Sequence, residues 1–229
     1  MIIDIHIHTE IRSNGHLKAD DLFEYAKRTG LIEHARERGL DAICLTEHDR
    51  VWPLDAIQPV SEAYDFPIFR GMEVSTNYAD YGHVLSYGLD SYLRGLWNIE
   101  KLAQVAGELD AVLIVAHPFR ELLWPRPGKG IITVEEACNM PIFKRVRGVE
   151  AFNGATAKIE NLFALEVCKR LGLPSSGGSD AHSAAGVGNC VTAFDKWITS
   201  EAELLEEMRA GRFRPNILNG NGFEEVGLP

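Results

Sequence analysis

The chain has 229 residues, 45% hydrophobic and 24% charged, a balance that supports a compact core and excludes a fibre or a disordered tail. Its 23 Lys and Arg against 33 Asp and Glu give a net charge of −10, and no stretch concentrates positive charge, which argues against tight binding of a long nucleic-acid backbone. Cys44, Cys138, Cys168 and Cys190 lie far apart without a CxxC pair, so they read as reduced thiols and not as a disulfide frame or a zinc knuckle. Met1-Ile2-Ile3-Asp4-Ile5-His6 carries no basic leader, and no segment reaches the ~18 apolar residues of a membrane span. A cytoplasmic location without a membrane partner is expected, with residues 1–229 forming a single domain because no linker interrupts them.

In chain order, Ile2–His8 reads as a strand and Asp20–Arg38 as helix, broken at Gly30, where Glu24–Leu31 and Glu33–Leu40 resemble each other at a nine-residue offset. Strands are predicted at Ala42–Glu47, Pro67–Ser75, His83–Gly88, Ala111–His117, Gly148–Asn153 and Pro174–Asp180, with an extended piece at Val191–Phe194. Helices are predicted at Ile99–Leu109, Thr156–Leu171 and Glu201–Arg209, the second with Ile159, Leu162, Phe163 and Val167 along its apolar face. Ser200 with Glu203 and Thr133 with Glu136 have the spacing of capping boxes. The Pro- and Gly-rich run Trp124–Gly130 suits a loop over a site. Repeated strand-then-helix order predicts an α/β architecture with a mostly parallel sheet.

Of eight histidines, six fall at or just beyond the carboxyl end of a predicted strand: His6, His8, His48, His83, His117 and His182. In a parallel α/β barrel those ends converge on one face. Alternation along a strand turns His6 and His8 the same way, as two ligands of one ion require. Glu73, Asp180, and Glu47 or Asp49 stand at equivalent places. Imidazoles with carboxylates and no cysteine suit Zn²⁺, Mn²⁺ or Fe²⁺, and the number of ligands calls for two or three divalent ions.

The ordered set His6-Ile7-His8, Thr46-Glu47-His48-Asp49, Glu73, His83, Ala116-His117-Pro118, Glu150-Ala151-Phe152-Asn153 and Gly178-Ser179-Asp180-Ala181-His182 resembles the PHP (polymerase and histidinol phosphatase) family over nearly the whole chain. The resemblance implies a distorted (β/α)7 barrel, TIM-barrel-like, with a trinuclear metal site and phosphoesterase activity. Carried over residue by residue, it implies that His6, His8, Glu73 and Asp180 hold a first ion, that Glu73 bridges to a second held by His83 and His117, and that His48 and His182 serve a third. The family usually places an Asp or His about six residues after the second histidine. Here that residue is Asn14, and His16 is expected to take its place as a ligand. Glu47 replaces the commoner aspartate before His48.

Around these, Glu150 and Asp4 are candidate supports for ligand histidines. Arg120 is placed at the rim where a phosphate would sit, with Arg126 and Lys129 in the nearby loop, because a planar guanidinium fits phosphate oxygens. Trp52 and Trp124 are candidates to stack on a ring, and His34 reads as a solvated surface residue. The expected function is hydrolysis of a phosphoester bond by a hydroxide bridging two ions at Glu73, with Asp180 and Arg120 in the catalytic site and His182 or Asp49 as proton donor. Its substrate is expected to be a small phosphorylated molecule or the end of a short oligonucleotide. The competing readings are an amidohydrolase-type C–N hydrolase, which usually bridges its metals with a carboxylated lysine, and a non-catalytic regulatory barrel, which should have lost ligands.

Overall fold

The computed structural model describes residues 1–11, 16–77, 82–124, 131–219 and 222–225, with 218–219 and 222–225 as backbone only. Asn14, Arg126 and Lys129 lie outside the described residues. The elements, in order, are β1 (Ile2–Ile7), α1 (Ala19–Thr29), α2 (Leu31–Glu37), β2 (Ala42–Leu45), α3 (Leu54–Tyr64), β3 (Ile68–Arg70), β4 (Met72–Ser75), β5 (His83–Tyr87) and α4 (Ile99–Glu108). There follow β6 (Val112–Val115), α5 (Val134–Cys138), β7 (Gly148–Asn153), α6 (Lys158–Leu171), β8 (Ser175–Gly178), β9 (Cys190–Phe194), α7 (Glu201–Ala210), β10 (Phe213–Asn219) and β11 (Gly222–Glu225). The fold is α/β. No helix among the described residues is long and apolar enough to cross a membrane.

The strands form two sheets, in the orders β11-β10-β9-β1-β2-β3 and β4-β5-β6-β7-β8. The expectation of a mostly parallel sheet is corrected: β1–β2, β2–β3, β6–β7 and β7–β8 are parallel, whereas β1–β9, β9–β10, β10–β11, β4–β5 and β5–β6 are antiparallel. Two single-residue parallel bridges, Ile7 to Ala181 and His48 to Glu73, join the interior strands β1 and β2 of the first sheet to the two edges, β8 and β4, of the second. The segment expected as one strand, Pro67–Ser75, is two strands in different sheets, because the chain crosses between sheets at Gly71. A Cβ there would lie 2.9 Å from both Thr46 Cγ2 and the Tyr87 ring, so only glycine fits.

Between the sheets, Ile3, Ile5, Cys44, Phe69, Leu85, Tyr87 and Ile114 form a buried apolar layer. The alternate residues of β1, Asp4 and His6, point the other way and are equally buried. Helices α1 to α3 cover one flank and α4 to α6 the other. Gly30, at φ 66°, ends α1 and starts α2 as the sequence predicts. The predicted box at Thr133 and Glu136 forms. At α7, Ser200 accepts from the Glu203 N–H, but the Glu203 carboxylate reaches back to Thr199.

Other readings change. On α6 the buried face is Ala164, Leu165, Val167 and Cys168, and Ile159 is exposed. Glu160 and Asn161 take buried places because they bond the backbones of Glu121 and Asn153. Helix α3 spans Pro59, and β10 runs through Pro215 opposite Thr192, so in both places proline hid an element. His34 is half-buried and not fully solvated.

Candidate metal centre

The site is built where β1, β2, β4, β6 and β8 end and β5 begins. His83 opens its strand and does not close it. Because β5 runs antiparallel to β4 and β6, with His83 opposite Ser75 and Val84 opposite Val115, it still reaches the same rim. Room for His6 comes from the small residues of β8: a Cβ on Gly178 would lie 2.5 Å from both His6 Cβ and Glu150 Oε1. Asp49, His117 and Asp180 have positive φ of 50°, 27° and 53°, and Glu10 joins them at 57°. Backbone held in this sparsely populated region clusters at functional sites.

Glu73 is the centre. His8 Nε2, His6 Nε2 and His48 Nδ1 lie 3.1, 3.2 and 3.3 Å from its Oε2, while His83 Nδ1 and His117 Nε2 lie 2.9 and 3.0 Å from its Oε1. Asp180 Oδ1 is 3.4 Å from His6 Nε2 and 3.3 Å from His8 Nε2, and the two Nε2 atoms are 3.1 Å apart. Three groups of ligand atoms gather within coordination range of one another: His6, His8, Glu73 and Asp180; His48, Glu73 and His83; and His8, His48 and His182. Among the expected ligands, His117 and His16 join none of these groups, although His117 lies against Glu73 Oε1. The His16 side chain is exposed in a groove with Leu17, Lys18 and Pro53.

The electrostatics are those of a cluster that needs positive charge. Burial opposes ionisation of Glu73, yet the imidazoles of His6, His117 and His8 hold its carboxyl well below the ordinary range. Asp180 is likewise lowered despite burial, by His8, His6, His117 and Arg120. Burial pushes His6 down, but Glu150 and Glu73 outweigh it and raise the imidazole well above its usual value. Even so, Glu73 Oε2 and His8 Nδ1 are buried without a hydrogen-bond partner, although imidazole nitrogens crowd the former. Donors that converge on one spot without pairing fit a divalent ion there, and the imidazole–carboxylate set suits a transition metal.

A surrounding layer orients the candidate ligands. Glu150, fully buried, receives His6 Nδ1 (2.9 Å), the His117 N–H (3.0 Å) and Asn153 Nδ2 (2.9 Å). Asp4 accepts the backbone N–H groups of His6, Ser179 and Gly188, pinning the loop after β8, and burial pushes its carboxyl up to about 6. Arg120 donates to Asn153 Oδ1 (2.9 Å) and to Asp180 Oδ2. Asp49 Oδ1 accepts the Ser75 N–H, so one oxygen of that proton-donor candidate is engaged. Glu47 Oε1 receives the Thr9 N–H, the Thr9 hydroxyl and Trp52 Nε1. The reading of Trp52 as a stacking platform is therefore corrected: it is fully buried, whereas Trp124 is exposed. Glu10, which sequence reasoning passed over, lies 3.3 Å from His182. Asn153 was visible only as the last residue of the Glu150–Asn153 motif.

A family model described as PHP-associated matches residues 158–213. The phosphoribosyl 1,2-cyclic phosphate 1,2-diphosphodiesterase of Eggerthella lenta is 26% identical over 129 residues, 48% of this chain and 45% of that protein, so the match spans about half of the curated relative. A two-domain protein from Bacteroides vulgatus, described as containing a predicted PHP-like metal-dependent phosphoesterase, superposes with a TM-score of 0.62 at 18% identity over 95% of this chain and 64% of that one. These matches support the resemblance to the PHP domain family. The fold is shared with PsfC from Pseudomonas syringae, at a TM-score of 0.60 and 20% identity over 93% of this chain and 90% of that one.

Proposed function

We propose that the chain is a metal-dependent phosphoesterase acting on a small phosphorylated molecule or a short nucleic-acid end. The observation that carries this reading is Glu73, a buried carboxylate with imidazoles gathered on both of its oxygens. In this reading His6, His8, Glu73 and Asp180 hold one divalent ion, and Glu73 shares itself with a second at His83 and His117. Zn²⁺, Mn²⁺ and Fe²⁺ fit the donors. Ions bound there supply activated water and draw electron density from a phosphate oxygen. Arg120, anchored through one nitrogen to Asp180 and Asn153, keeps a planar fork at the rim for the non-bridging oxygens. The bridges from β1 to β8 and from β2 to β4 support reading β1, β2, β4, β5, β6, β7 and β8 as a distorted seven-stranded barrel within a single domain, with this site at one mouth.

Phosphorus chemistry is favoured over C–N hydrolysis because the place between the imidazole groups is taken by Glu73 and not by a lysine. The Eggerthella relative, named for a cyclic phosphate ester, supports a small diester as the first substrate to try. The test is a panel of phosphomonoesters, cyclic phosphodiesters, oligonucleotide ends and cyclic amides, with protein loaded with Mn²⁺, Zn²⁺ or Fe²⁺. Phosphoester turnover that chelator abolishes, and that Glu73→Gln lowers by ~10² or more, is expected. Metal-loaded protein that cleaves only the amides, or nothing, refutes the reading.

A further inference from the structure

The third imidazole group, His8, His48 and His182, contains no carboxylate. A divalent ion held by neutral rings alone keeps its full charge, and Asn14, where the family pattern has an ionisable ligand, is an uncharged amide. The structure places a carboxylate against one member of this group, His182, although Glu10 does not itself lie within coordination range of His8 and His48. Glu10 Oε1 lies 3.3 Å from His182 Nε2. The other ring nitrogen, Nδ1, is 3.0 Å from the backbone carbonyl of Asp180, which can only accept, so Nδ1 carries the proton and Nε2 of the neutral ring presents a lone pair. That lone pair faces a carboxylate oxygen. Two acceptors so placed repel each other unless a proton or a cation lies between them. Beside them His8 packs against both His182 and His48, at ring-centroid distances of 4.5 and 4.6 Å, and its buried Nδ1 has no partner.

The backbone is arranged for this contact. Glu10 adopts φ 57°, a left-handed conformation that residues with a Cβ disfavour. The preceding residue is clamped: the Thr9 N–H and hydroxyl both donate to Glu47 Oε1, which Trp52 Nε1 also reaches at 3.0 Å. Strain that the surroundings hold in place, next to a cluster of candidate ligands, points to function.

We propose that Glu10 is the anionic ligand of a third divalent-cation position, with His48 and His182, in place of both Asn14 and His16. His8 Nε2 stays with the first group, against Glu73 and Asp180. The proposal rests on reading the cluster as a metal centre but not on the reaction it performs. The whole chain, stripped with chelator, is titrated with Mn²⁺ by calorimetry and its metal content counted by elemental analysis. Wild type and His16→Ala are expected to bind three equivalents. Glu10→Gln, at a half-exposed position whose replacement leaves the core intact, is expected to bind two, or to bind the weakest of three at least tenfold less tightly. In a second measurement Glu10→Cys, loaded with Cd²⁺, is expected to show an ultraviolet thiolate-to-cadmium band that the wild type lacks. Unchanged binding in Glu10→Gln, loss of an equivalent in His16→Ala, a wild-type maximum of two, or no such band overturns the assignment. Wild type that holds three ions without turning over any phosphoester refutes the proposed reaction and leaves Glu10 as a ligand.

Discussion

Glu150→Gln is the sharpest probe of how the ligands are oriented, because it changes one charge and almost no volume in a buried place. Three donors converge on the Glu150 carboxylate: His6 Nδ1 on Oε1, and the His117 N–H and Asn153 Nδ2 on Oε2. A glutamine has one accepting oxygen and one donating amide. With its NH₂ at the Oε2 place it would confront two fixed donors, so the lower-cost choice puts the NH₂ opposite His6. His6 must then accept at Nδ1 and carry its proton on Nε2, the nitrogen that faces Glu73 and Asp180. The ring remains in place but its ligating lone pair is lost. Hydrogen bonds to charged groups contribute about 1.5–3 kcal/mol, and loss of such supporting partners typically costs 10–100-fold in metal affinity, or about 1.4–2.7 kcal/mol. Calorimetric titration of the stripped variant should show the tightest binding class weakened by that factor, with the wild-type far-ultraviolet circular dichroism retained. First-ion affinity within about twofold of wild type would refute the tautomer argument.

The same geometry makes three further predictions. Gly178→Ala forces a Cβ to 2.5 Å from both His6 Cβ and Glu150 Oε1, so calorimetry should record a melting point several degrees lower, as overpacking of about 1–3 kcal/mol implies, together with loss of the first ion. Stripping the metal should lower the melting temperature by roughly 5–10 °C, the scale set by about 2.7 kcal/mol for a ligand at a hundred times its Kd, and re-addition should restore it; identical melts with and without ions count against a folded-state metal centre. Burial pushes the Cys168 and Cys190 thiols up to about 12 and Cys44 well above its usual value. All three therefore stay protonated at pH 8 in the folded chain, and alkylation should modify only the half-buried Cys138 until denaturant is added; the stabilising effect of burying protonated thiols is complete below about pH 9 and falls away above it.

The histidine pattern announced the site because β-strand alternation and the convergence of strand ends are properties of sequence spacing. What the spacing could not show was strand direction: His83 was expected at a strand's end and reaches the rim as the first residue of an antiparallel one. Gly71 was read as lying within one strand, Pro67–Ser75, because the step between two sheets depends on Tyr87 and Thr46 packing against it from distant strands. Glu10 was hidden for a similar reason. Its approach to His182 follows from a left-handed turn held by Glu47, a residue 37 positions later whose hydrogen bonds are set by tertiary structure. Glu150 stood in a recognisable motif, yet its facing was legible only from the glycines of β8 that leave room for it.

The buried carboxylates divide into two kinds, and the division separates scaffold from site. Asp4, Glu47 and Glu150 are met by hydrogen-bond donors, including backbone amides whose protons are permanent, so the folded chain compensates most of their desolvation by itself. Glu73 and Asp180 are met chiefly by imidazoles, which offer a proton only when they carry one on that side. The orientation of His6 shows the consequence: Glu150 draws its proton to Nδ1, which leaves Nε2 unable to donate to Glu73 unless the ring is charged. Glu150 thus draws the proton of neutral His6 away from the face that Glu73 needs. Arg120 pairs with one oxygen of Asp180, whereas the Glu73 side chain has imidazoles as its partners. A buried carboxylate whose compensation depends on imidazoles being charged carries an electrostatic deficit that divalent cations at this centre would remove.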